Sequence, residues 1–142
     1  MAAPLLLKVA GSLLAMGVLA ACQKVLADAK MRPLATLAGS EWGFGSDDSG
    51  GERFVGFKAN GEVVGSGGCN NFFGSFTQDG RTLTFGPLAS TKKACPGELM
   101  QQERDFLDLL GRVRAVEATH AELVLFGDGD AELARLRRRD WD

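Results

Sequence analysis

Apolar and polar residues alternate with a period of two over several short stretches, the pattern of half-buried strands. Trp42 and Phe44 alternate with Glu41 and Gly43. Residues 53–58 place Val55 and Phe57 on one face, and residues 62–65 return after Asn60-Gly61, a two-residue turn that admits φ > 0. Phe72, Gly74 and Phe76 share a face, Asp79-Gly80 predicts a second turn of that kind, and Leu83 and Phe85 share the next face. The pattern then switches. After Pro96, Leu99, Phe106 and Leu110 recur at helical spacing, with Glu98 in the first turn and Gly111 as the expected C′ stop. Gln101, Gln102, Arg104, Asp105 and Asp108 read as its solvated side. Strands resume at 113–118, 122–126 and 131–137. Residues 122–126 are apolar on both faces, which predicts cover on both sides. Residues 131–137 alternate poorly, so a bulge or a shifted boundary is expected there.

Between the two hairpins lies the densest stretch, residues 65–76, with four glycines, Cys69, two asparagines and three phenylalanines. It lacks the terminal Gly-Lys-Ser/Thr of a phosphate loop and leads into a strand, not a helix. It reads as a structural corner in which Asn70 caps local backbone groups and Phe72 and Phe76 turn inward.

Composition narrows the class. The 142 residues are 45% apolar and 24% charged, which suits one globular domain. Nineteen glycines against four prolines favour short strands and tight turns. The net charge of −2, or −3 without residues 1–21 (15 basic against 18 acidic), gives no bias toward polyanions. Arg135, Arg137, Arg138 and Arg139 are followed by Asp140 and Asp142 with no interleaved aromatics, so no nucleic-acid partner is expected.

The N-terminus sets the compartment. Lys8 precedes an uncharged run over residues 9–21, too short for a bilayer-spanning helix and suited to a cleaved secretory signal. Its end, Leu19-Ala20-Ala21-Cys22, resembles a bacterial lipoprotein box, which implies residues 1–21 as signal peptide and a lipid anchor on Cys22. The alternative is an ordinary signal peptide with Cys22 incidental. Gln23 at the next position, where no Asp signals inner-membrane retention, implies an outer-membrane lipoprotein facing the periplasm. Residues 22–37 then form a membrane tether, with Leu34 and Leu37 able to touch the domain. Outside the cytosol, Cys69 and Cys95 most simply form one disulfide. Closing that loop of about 27 residues contributes on the order of 3–4 kcal/mol. A metal site or a Cys–His catalytic pair would need the single histidine, His120, and both are poorly furnished. Asp47 and Asp48 lack calcium-loop spacing. No metal, cofactor or catalytic set is expected; a hydrolase built on Ser66 or Ser75 with His120 has no nucleophile-elbow motif behind it.

Taken together, Trp42, the run Gly67-Gly68-Cys69-Asn70-x-Phe72-x-Gly74-x-Phe76, Thr91 through Cys95, and Glu103, Phe106 and Leu110 resemble the META domain family of HslJ-like heat-shock proteins. The resemblance covers residues 38–138 and leaves 139–142 as a tail. Many relatives carry Arg and Met where this chain has Lys92-Lys93. It implies a mainly β, lipocalin-like half-barrel of about seven short antiparallel strands, with one helix inserted before the last ones. It also implies a non-enzymatic envelope protein associated with heat shock or antibiotic tolerance, acting on an unknown envelope partner. The alternative is a binder of a small apolar ligand lined by residues such as Phe57, Phe72 and Leu83. Against that stands the need of so small a domain to use its large apolar groups as core.

Overall fold

The computed structural model describes residues 33–44 and 52–139. Cys22, the signal segment, most of the tether, Asp47, Asp48 and residues 140–142 of the tail fall outside the described residues. Six strands precede the helix: β1 (Ser40–Gly43), β2 (Arg53–Phe57), β3 (Glu62–Gly67), β4 (Asn71–Asp79), β5 (Thr82–Phe85) and β6 (Ala89–Ser90). The helix α1 (Gly97–Gly111) is followed by β7 (Ala115–Ala118), β8 (Glu122–Phe126) and β9 (Glu132–Arg138). Among the described residues the fold is mainly β with one α-helix, as the periodicity predicts, and has nine strands where about seven are expected.

The sheet closes. Its order is β3-β2-β1-β9-β8-β7-β5-β4, and β3 pairs again with β4, so eight antiparallel strands form a barrel with β6 added on β4. A half-barrel would leave two edges; closure satisfies them with the β1–β9 pair (Trp42 opposite Arg138) and the β5–β7 pair (Thr82 opposite Ala115). An eight-stranded barrel is just wide enough for side chains to fill it. Here the inward residues Trp42, Val55, Phe57, Leu83, Leu123 and Leu125 are 0–1% exposed. Phe57 meets Phe76 edge-on at 4.9 Å between ring centroids.

Two turns differ from the sequence expectation by one position. After β2, the Lys58 carbonyl accepts from Gly61 N–H (3.2 Å) and only Gly61 has positive φ (84°). Asn60 keeps negative φ, so the glycine sits as a bulge after the turn and not in its centre. The next loop is Gly80-Arg81, with Asp79 still paired to Thr82. The weak alternation of the last strand is explained by a bulge: Leu125 pairs with Ala134 but Phe126 with Glu132. Leu133 is thereby left over and packs against the core. Residues 122–126 show β8 buried on both faces in its centre, as expected.

Each end of the barrel is covered. The β2–β3, β4–β5 and β7–β8 turns lie at one end, across which residues 33–37 run. Pro33 bridges to Thr119, Leu34 N–H donates to Ala118 O (2.7 Å), and the N–H of Leu37, a fully buried residue, donates to Gln78 Oε1 (2.9 Å). The domain thus starts before residue 38, and the expected contacts of Leu34 and Leu37 form. The helix covers the other end, burying Phe106 and Leu110. Its outer positions Gln101, Arg104, Asp105 and Asp108 are exposed or half-exposed, as their spacing predicts. Gly111 is the last helical residue and has no positive φ; Arg112, in the right-handed region, closes the helix through Leu109 and Leu110 carbonyls.

Candidate functional site

The glycine corner, the Thr91–Cys95 segment and α1 meet at the helix-covered end. Gly68 takes φ of 109° to turn the chain from β3 into β4. Gly67 has a different need: a Cβ there would lie 2.5 Å from Glu103 Cγ, so only glycine lets the helix approach. The expected Cys69–Cys95 disulfide is formed and ties the corner to the residue before Pro96.

Asn70 is the centre of this end, at 2% exposure. Its backbone N–H donates to Glu103 Oε2 (2.6 Å) and its Nδ2 to Glu103 Oε1 (3.0 Å). Its Oδ1 accepts from Lys93 N–H (2.6 Å) and Thr91 Oγ1 (2.9 Å). Thr91 Oγ1 in turn accepts from Asn71 N–H (3.2 Å). The sequence expectation of a local cap is therefore corrected: Asn70 clamps segments 21 to 33 residues away. An amide serves because it offers donors to a carboxylate and an acceptor to a backbone N–H at once. Glu103, 6% exposed, makes no ion pair among the described residues. The two N–H donors of Asn70 stand in for the water its carboxylate has lost.

The other motif residues have structural positions. Trp42 is fully buried and donates from Nε1 to Ser40 Oγ (2.7 Å). Phe72 and Phe106 pack edge-on at 5.9 Å, and Phe44 meets Phe106 edge-on at 5.4 Å. Gly74 lies under Pro87 and Leu88, and Phe76 on Phe57. Cys22 is outside the described residues. His120 is exposed in the β7–β8 turn, at the barrel end opposite Ser66, whose Oγ accepts from Gly68 N–H (3.1 Å). Ser75 Oγ lies against Gly86.

Surface charges are paired along strands. Arg135 bonds Glu132 and Glu122, which hold its pKa above the usual arginine value, Glu132 contributing most. Arg81 is raised likewise by Asp130 first and then Glu117. Arg139 pairs with Glu41 and Glu52 and stacks on Phe54, while Arg138 lies over Trp42. Arg135, Arg138 and Arg139 thus each have acidic or aromatic partners.

Outer clefts remain among the described residues: a polar one beside Asp105, Asp108 and Arg112, and two with more apolar linings. Of those two, one of about 440 Å³ lies between residues 33–35 and the β5–β7 side, lined by Leu34, Val116 and Ala118 among others. A smaller one of about 280 Å³ lies over Gly56, bordered by Glu41, Lys58 and Val64. Among the described residues Phe73, 55% exposed, is the large apolar side chain left outside.

Comparison with known proteins agrees with this architecture. A protein from Burkholderia xenovorans solved by NMR superposes with a TM-score of 0.61 at 22% identity, over 74% of this chain and 85% of its own. A second NMR structure gives 0.53 at 20% identity, over 72% and 90%. The crystal structure of a DUF4847 family protein from Bacteroides vulgatus gives 0.52 at 16%, over 75% and 96%. These likenesses show a shared fold. No curated protein matches the chain. The META domain family model matches residues 34–140, which takes in the barrel, the Asn70 clamp and the disulfide together, and the chain belongs to the META domain family.

Proposed function

We propose that this protein is a non-enzymatic outer-membrane lipoprotein, anchored through Cys22, whose META domain binds an envelope partner under heat or antibiotic stress. The observation that carries the binding reading is the filled barrel. With Trp42, Phe57, Leu83 and Leu125 at 0–1% exposure and both ends covered, the inside is core, and recognition falls to the outer surface. The lipoprotein box at Cys22 supports the envelope, and the Cys69–Cys95 bond suits an oxidising compartment. Stable anchoring takes more than one acyl chain, which a lipidated N-terminal cysteine supplies by resemblance to such proteins. A second reading, a small apolar ligand, draws on the cleft beside Leu34 and Val116, on the outside of the barrel and not in its lumen.

Intact mass of the exported chain tests the anchoring: the expected product starts at Cys22 with lipid attached. An unlipidated product cleaved elsewhere would remove the lipoprotein reading. In-cell cross-linking under heat or antibiotic stress tests the binding; one recurrent envelope partner is expected. Saturable uptake of an apolar fluorophore, blocked by Ala118→Trp, would favour the ligand reading instead.

A further inference from the structure

Closure leaves one strand with a free side. Each of the eight barrel strands has a partner on both edges, whereas β6 has β4 on one and no strand on the other among the described residues. Hydrogen-bond alternation shows which groups face that side. Antiparallel pairs alternate between residues that exchange N–H and C=O bonds and residues whose groups point away from each other. Thr91 N–H donates to Asn71 O (2.9 Å), which makes Asn71–Thr91 a bonded pair and, two residues on, Phe73–Ala89 the next. Phe72–Ser90, between them, is the other kind. Phe72 turns its groups to Gly65 on β3, and Ser90 turns its N–H and C=O to the open side. Lys93 is held from the Asn70 side, its N–H donating to Asn70 Oδ1 (2.6 Å) and its C=O accepting from Nδ2 (3.4 Å). Lys92, between Thr91 and Lys93, is turned the other way, as Ser90 is. Two N–H and two C=O groups thus line the open side at a spacing of about 7 Å, the repeat of a strand ladder. None of the four has a partner among the described residues.

The side chains around this edge describe what fits it. Ala89, Thr91, Lys92 and Lys93 are exposed. Phe73, the exposed large apolar side chain of the described residues, lies opposite Ala89 and shares its face. The methyl group of Ala89 leaves the space beside that ring open. Lys92 and Lys93 have no ion-pair partner among the described residues, whereas Lys58, Arg81, Arg114, Arg135 and Arg139 each have one. We propose that the edge at residues 89–92 takes an extended, acidic peptide segment of a partner protein as an added strand. A bulky apolar side chain of the peptide lies over Ala89 against Phe73, and its carboxylates lie by Lys92 and Lys93. The proposal rests on the reading that the barrel acts through its outer surface, and names the mode and chemistry of the partner. Unpaired N–H and C=O groups at strand spacing are the complement of another extended backbone, and main-chain bonds give such additions their affinity. The lysines select the occupant. They repel the same edge of a second copy, as charged edge strands do, and attract carboxylates.

The test uses the full chain and a short fluorescein-labelled peptide in which valine and glutamate alternate around one central phenylalanine. Saturable binding is expected, with amide exchange slowed at least tenfold at Ser90 and Lys92 and unchanged at Thr91, whose N–H is already bonded. A peptide with lysine in place of glutamate should bind at least tenfold more weakly, and Lys92→Glu with Lys93→Glu should reverse that preference. Ser90→Pro removes an edge N–H without taking a bond from β4, as proline on an edge strand can, and should weaken binding at least tenfold. Phe73→Ser should weaken it several-fold. An oxidised Cys69–Cys95 bond and melting close to the parent's show that each variant is folded. No saturable binding, or binding indifferent to the charge reversal, overturns the proposal. So does slow exchange at Ser90 before peptide is added, or Ser90 protection that rises with protein concentration alone, the mark of a second copy on the edge. In cells the two readings separate: a stress-dependent partner still captured by Ser90→Pro leaves binding through the outer surface standing and removes the edge.

Discussion

The two ends of the barrel are closed by different chemistry. At the helix end, closure is polar and covalent: Asn70 bonds Glu103, Thr91 and Lys93, and the Cys69–Cys95 bridge lies beside it. At the other end, residues 33–37 close it with Leu37, fully buried, and a few backbone bonds. The contrast follows from what each end has to hold. The helix arrives after a long excursion from β5, and an apolar contact alone would leave its docking angle free. Directional bonds to one amide fix it. The N-terminal segment only has to fill a hole, and a leucine does that without specifying direction.

Three changes separate the ends, in falling order of expected effect. Asn70→Ala takes the side-chain donor from the buried Glu103 carboxylate and the acceptor from Lys93 N–H, leaving only the backbone bond to Glu103. Losing a hydrogen bond to a buried charged group costs about 1.5–3 kcal/mol, and an N–H left without its acceptor about 1–3 kcal/mol more. Denaturant unfolding should show that loss, with Asn70→Asp no better because it sets two carboxylates together. Leu37→Ala should cost about 2–5 kcal/mol through its cavity, and it should leave the Cys69–Cys95 bridge as slowly reduced as before. Cys69→Ser with Cys95→Ser should cost about 3 kcal/mol, since a loop of that length was closed in the unfolded chain. An equal loss on adding the double replacement to Asn70→Ala would show that the two clamps act independently.

The smallest effect concerns the surface arginines away from both ends. Their carboxylate partners raise the pKa of Arg81 and Arg135 in the folded state. A raised cation contributes stability that is complete below its ordinary pKa and is lost only as pH climbs through the folded value. The difference in melting temperature between the parent and Arg81→Ala should thus stay constant from about pH 6 to about pH 10. It should also be small, because these pairs are exposed.

How far the sequence reaches depends on the range of the interaction. The hairpins and the helix are local, and their periodicity places them within a residue or two. The turn positions slip by one because Asn60-Gly61 serves a bulged turn as readily as a two-residue one. Barrel closure is invisible locally: it depends on β1 finding β9 nearly a hundred residues on. Asn70 looks like a turn residue by type, and only the fold shows that its partners are distant. Glu103 did leave a sign. Leu99, Glu103, Phe106 and Leu110 fall on one helical stripe, so a carboxylate stands in the middle of the buried face. An acid in that place requires a buried donor elsewhere in the chain.

Hydrogen exchange of the full chain with and without a reductant tests most directly whether the two ends are closed by separate devices around one filled core. With Cys69–Cys95 reduced, protection should fall at residues 67–70 and through α1, while β1 and the amides of Leu34 and Leu37 keep theirs. Equal loss of protection at both ends would contradict the account.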